Sequence, residues 1–274
     1  MFNSFTGDIK DAARRHLHTW KTALGLTTRQ DHAAIEQVIT EAYRAAGLTP
    51  PRRIVWCPSP LAMTWVRTLS TEMWQQQVGA NVRDTLIDEP IRRAWPLIQA
   101  CMSQGFCREL SEYLEGGLID AVRAKEQALW NALSDECATC FDTLPLGVRA
   151  AITETLTAEG LPSTDLSALA LLYYGTDGFV WGPVESQAIT LAFVRKRMKL
   201  ESETQAVTPL ISLLEQSHTF IAHENVFWIS EPPRFISENT MHYGDGWTVT
   251  VSPELQGWSR RLSLSSLFGD AVLP

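Results

Sequence analysis

The chain has 274 residues, 45% of them hydrophobic and 20% charged, and a formal net charge of −8. This is the composition of a globular protein rather than a disordered one, and the acidic balance argues against a nucleic-acid partner, whose phosphates the overall field would repel. No apolar run approaches the roughly eighteen residues of a membrane span, so no membrane association is expected.

The first stretch, MFNSFTGDIKDAARRHLH, places acidic residues before its arginines and has no apolar segment, unlike a secretory signal. Five cysteines, an odd number, do not form a disulfide framework. Together these features predict a cytoplasmic protein.

Helical spacing begins over residues 8–24. It is clearest in DHAAIEQVITEAYRAAG, where Ile35, Val38, Ile39, Ala42, Tyr43 and Ala46 share a face. Asp31 suits the N-cap and Gly47 the residue just past the C-terminus. LTPPRR then breaks the helix, and a short buried strand near 53–57 follows. Ser59 as N-cap and Pro60 at the first helical position start a helix over 61–77, with Leu61, Trp65, Leu69 and Met73 on one face.

From 81 to 102 an amphipathic stretch is expected to break at Pro90 and Pro96. From 107 to 135 a helical period runs with a break at Gly116–Gly117, glycines that also allow a neighbouring backbone to approach closely. Further helices are predicted over 146–158, 164–174, 184–199 and 204–217. After His218 the period changes. VFWIS (226–230) reads as a strand, EPP as a stop, RFIS as another extended piece, and MHYGDGWTVTV as a hairpin turning at Asp245–Gly246. The predicted fold is α+β, mainly α-helical with a small C-terminal antiparallel β element. A helical body over 1–220 carries the strand near 53–57, and a β-containing element over 221–274 packs on it.

Residues 20–62, WKTALGLTTRQDHAAIEQVITEAYRAAGLTPPRRIVWCPSPLA, resemble the start of an uncharacterised bacterial protein family carrying a domain of unknown function. Trp20, Gly25–Leu26–Thr27, Tyr43–Arg44, Ala46–Gly47–Leu48, Pro51, Trp56 and Ser59–Pro60 carry the resemblance. VGANVRDTL (78–86) and ENVFWISEPPRFI (224–236) are similar to the family's middle and later sections. Where family members continue with Arg-Leu-His, Gly-Pro-Ala and Asp-Gly steps, this chain has MHYGDGW, so only His242, Asp245 and Gly246 match. The family brings no established activity. At 56–62 the resemblance rests on the Trp and the Ser-Pro, not on Cys57.

Catalysis at the 56–60 turn would need Cys57 or Ser59 beside a histidine base, with His242 and Asp245 as the partners a C-terminal hairpin could bring. The turn lacks the Gly-x-Ser-x-Gly frame of a nucleophile elbow, and a helix cap explains Ser59 without chemistry. Cys101, Cys107, Cys137 and Cys140 have an order suited to a structural zinc site, although the first pair is spaced too widely for a usual ligand pair. No histidine metal motif and no glycine-rich phosphate cradle occurs, so no cofactor is expected. The basic clusters RKRMK (195–199) and Arg260–Arg261 read as solvated faces.

The loop YYGTDGFVWGP (173–183) could line a pocket with Tyr174, Asp177 and Trp181. Trp228 and Trp247 in the β element would suit a partner surface if exposed. The leading expectation is therefore a non-catalytic binding protein with a protein or small-molecule partner. An enzyme with its cleft between the 56–60 turn and the C-terminal hairpin comes second, and a structural zinc protein third.

Overall fold

The computed structural model describes residues 6–24, 31–137, 141–160, 183–217 and 219–250. Most of them are helical. The helices are α1 (Gly7–Leu24), α2 (His32–Ala45), α3 (Pro60–Val78), α4 (Glu89–Ala100), α5 (Gln104–Cys137), α6 (Leu146–Ala158), α7 (Pro183–Met198), α8 (Glu201–Thr204) and α9 (Thr208–Gln216). The strands are β1 (Arg53–Cys57), β2 (Phe220–Ala222), β3 (Val226–Ser230), β4 (Phe235–Ser237), β5 (Thr240–His242) and β6 (Thr248–Thr250). The α+β, mainly helical class read from the sequence is the class of the protein.

Local chemistry sets the clearest boundaries. Asp31 caps α2 by accepting from Ala34 N at 3.3 Å. At the other end Leu48 N donates to Tyr43 O and Gly47 N to Arg44 O, a Schellman closure that needs the positive φ of Gly47, +76°. Ser59 caps α3 by accepting from Ala62 N at 3.0 Å, with Pro60 opening the helix. The first turns of α3 are buried all round (Leu61, Ala62, Met63, Trp65, Val66 and Leu69), as befits a central helix.

Two expected breaks are absent. Pro90 does begin α4, after a π turn at Asp84–Asp88, but Pro96 is accommodated inside that helix. The helix α5 runs unbroken through Gly116–Gly117. There α1 approaches, and a Cβ on Gly117 would stand 2.6 Å from a methyl of Leu17. Gly117 serves helix packing, not a turn, while a Cβ on Gly116 would meet nothing within 4 Å.

The sheets differ most from the sequence reading. One has the order β1-β3-β2, with β1 parallel to β3 (Arg53 opposite Val226, Cys57 opposite Ser230) and β2 antiparallel to it. The strand at 226–230 thus belongs to the body, as the centre of a mixed sheet, and the separate β unit starts only at Phe235. That unit is the antiparallel meander β4-β5-β6. Side-chain alternation in the mixed sheet divides the interior in two. Ile54, Trp56, Phe227 and Ile229 face the core built with α1, α2, α4, α7 and α9. Val55, Cys57, Ile221 and Trp228 face α3, α6 and the buried side of the meander, Met241, Trp247 and Val249.

Candidate functional site

The turn Cys57–Pro58–Ser59 leaves the carboxyl end of β1 and enters α3. Ser59 is fully buried, and its Oγ donates to Asp245 Oδ2 at 2.5 Å. Oδ1 of Asp245 accepts from Trp247 N at 3.1 Å, which folds the hairpin turn back on itself. Burial raises the Asp245 carboxyl above its usual range, against the opposing hydrogen bonds from Ser59 and Trp247 and the charge of Arg234. The first turn of α6 closes over this contact, and a Cβ on Gly147 would lie 2.1 Å from Asp245 O.

Two of the four candidate catalytic residues therefore meet, and two do not join them. Cys57 is buried on the same sheet face, and burial, reinforced by the charges of Glu159 and Asp245, pushes its thiol well above the ordinary range, away from thiolate. His242 hydrogen-bonds to Ser237 Oγ at 2.7 Å and stacks on Phe235 with ring centroids 4.3 Å apart. Among the described residues no histidine hydrogen-bonds to Ser59 or Asp245. This geometry clamps the hairpin to the capped helix, and among the described residues it brings no histidine to Ser59.

The aromatic partner surface expected at Trp228 and Trp247 is corrected by burial. Trp228 is 0% exposed and Trp247 3%, both in the core against α3, so neither presents a ring to a partner. Of the expected zinc ligands, Cys101 is partly exposed with its Sγ 3.4 Å from Leu97 O, and Cys107 is buried. The Cys137 side chain and Cys140 lie outside the described residues, as do Tyr174, Asp177, Trp181 and the helix expected over 164–174. No group of three or more metal-ligating side chains occurs among the described residues.

What sequence reasoning missed lies at the opposite, amino-terminal edge of β1 and β3. There the C-terminal half of α3 stands off the sheet and leaves a cleft of about 210 Å³. Val55, Val78 and Val226 form apolar walls, Trp74 and Trp228 aromatic ones, and Arg52, Arg53, Gln77 and Asn225 bring polar groups to the lining. Trp74 departs from helical geometry (φ −139°, ψ 44°), so α3 is kinked where it borders the cleft. The indole Nε1 of Trp228 is buried, closed off from the cleft, and among the described residues has no hydrogen-bond partner; its ring stands perpendicular to that of His223, centroids 5.2 Å apart. The alternation of Arg53 with Val55 and of Val226 with Trp228 was visible in the sequence, but the parallel pairing that puts all four on one face was not.

A second cluster sits at the carboxyl edge, where His32 Nε2 lies 2.5 Å from Glu231 Oε1. The His32 ring stacks on Trp56 (3.7 Å, 10°), whose Nε1 donates to Glu36 at 3.0 Å. It ties the start of α2 to the end of β3.

No family model, curated protein or solved structure matches the chain. No helix among the described residues is long and apolar enough to cross a membrane.

Proposed function

We propose that this chain is a non-catalytic binding protein of the bacterial cytoplasm, and that it takes its ligand into the cleft between α3 and the mixed sheet. One observation carries the reading. Val55, Val78, Val226 and Trp74 wall a mainly apolar cleft to which Arg52, Gln77 and Asn225 bring polar groups. Apolar walls with a few polar groups are what small-molecule sites consist of. At about 210 Å³ the cleft suits a fragment-sized molecule or a single side chain of a protein partner. The free thiols of Cys57, Cys101 and Cys107 support a reducing compartment. Membership of the bacterial family resembled over 20–62 is part of the same proposal.

The catalytic alternative draws support from the Ser59–Asp245 contact alone, and among the described residues no histidine joins that buried pair. Ligand-observed NMR with a fragment library tests the binding reading. Hits on the wild-type chain should vanish in Val226→Phe, which fills the cleft from β3 without disturbing a strand-forming position. Hits that persist unchanged in that variant would place binding elsewhere.

A further inference from the structure

The polar groups around the cleft differ in kind, and the difference points to a ligand class. Arg53 is already engaged: its guanidinium donates to Glu159 O at 2.8 Å, and its charge opposes the burial that raises the Glu159 carboxyl above its usual range. Arg52 is adjacent and exposed, and among the described residues its side chain makes no hydrogen bond or ion pair. Its backbone is fixed by donation from Arg52 N to Asn225 O at 2.8 Å, so the guanidinium springs from a rigid strand end. A planar guanidinium matches a carboxylate or phosphate in two parallel hydrogen bonds. The rest of the lining includes Val55, Val78, Val226 and the ring of Trp74, which ask for a flat or aliphatic body.

Resting on the cleft being the binding site, we propose that its ligand is a small anionic amphiphile. Its acidic group pairs with Arg52 at the mouth and its apolar body lies between Trp74 and the valines, over Trp228. A neutral ligand would leave Arg52 without a role. A strongly hydrophilic one would leave the apolar walls without a role.

Phenylacetate and phenylacetamide share a body and differ in charge, which makes them the probes. The full chain carrying ¹⁵N-labelled tryptophan is titrated with each at low salt, following the indole resonance of Trp228 as assigned by its loss in Trp228→Phe. Both compounds should shift that resonance, with phenylacetate about threefold tighter, as befits an exposed ion pair. In Arg52→Gln, an exposed substitution that leaves the core intact, the advantage should disappear while phenylacetamide binding stays unchanged. Equal affinity for the two compounds in the wild type, or an advantage that survives in Arg52→Gln, overturns the anionic assignment and leaves the cleft itself standing. No response of Trp228 to either compound overturns both.

Discussion

Ser59 and Asp245, 186 positions apart in the chain, share a buried hydrogen bond of 2.5 Å. The same Ser59 Oγ accepts from Ala62 N. One hydroxyl thus caps α3 and holds the turn of the β5–β6 hairpin against the body. The Asp245 carboxyl also lies at the helix N-terminus, where the macrodipole favours its ionised form.

Ser59→Ala removes the cap and leaves a buried carboxyl oxygen without its partner. Urea unfolding should show a loss of about 3 kcal/mol, combining cap and desolvation costs. Ser59→Thr keeps the hydroxyl and should lose less. Stability of Ser59→Ala within about 0.5 kcal/mol of wild type, the range of ordinary surface substitutions, would mean that the contact contributes nothing.

Gly147 gives a prediction opposite in sign to helix propensity. It lies exposed in the first turn of α6, where alanine should stabilise by roughly 1 kcal/mol. A Cβ there would collide with Asp245 O, which is backbone and cannot rotate away. Gly147→Ala should therefore lower stability by about 2 kcal/mol, an overpacking cost. A rise in melting temperature would show that the hairpin does not seat on α6.

The thiols separate the structural reading of the 56–60 turn from the catalytic one. Cys57 is buried with its thiol held protonated, whereas Cys101 is partly exposed. Iodoacetamide treatment of the native chain, read peptide by peptide by mass spectrometry, should modify Cys101 and leave Cys57 intact until urea is added. Rapid native modification of Cys57 would reopen the nucleophile reading.

His16 makes stability depend on pH. Burial lowers its pKa from 6.5 to about 4, aided by Lys196 and opposed by the hydrogen bond to Ile189 O. Between those values the unfolded chain binds the proton and the folded chain does not. The contribution is complete above pH 6.5 and is lost as the pH falls toward 4, by about 3 kcal/mol in all. Comparing wild type with His16→Gln by urea unfolding at pH 7 and pH 4.5 isolates this group. The stability difference between the two proteins should shift toward the variant at the lower pH, and a constant difference would contradict the assignment.

Local signals were the legible part of this fold. The Asp31 cap, the Gly47 closure, the Ser59–Pro60 start and the Asp245–Gly246 turn each depend on a few neighbouring residues, and each falls where the sequence puts it. Pairing between distant segments was not legible. Nothing in RIVWC says that it lies parallel to VFWIS far along the chain, so the latter read as part of an appendage. For the same reason the tryptophans looked available to a partner, because periodicity tells which residues share a face but not what covers it. Gly116–Gly117 and Pro96 were read through their usual effect on an isolated helix. In the protein, α5 stays helical through the glycines because α1 packs there.

Half of the candidate site followed from the turn chemistry: Ser59 and Asp245 were named together and do meet. Their role could not be read, since burial decides between clamp and catalyst. The cleft needed the strand register, the kink at Trp74 and the α3 packing at once, and none of these is a local property.

The most direct test of the binding account is a crystallographic fragment soak of the full chain. The account predicts density between α3 and the mixed sheet, against Val55, Val78, Val226 and Trp74. Fragments that gather instead at the His32–Glu231 edge or over the hairpin, with the cleft bare, would contradict it.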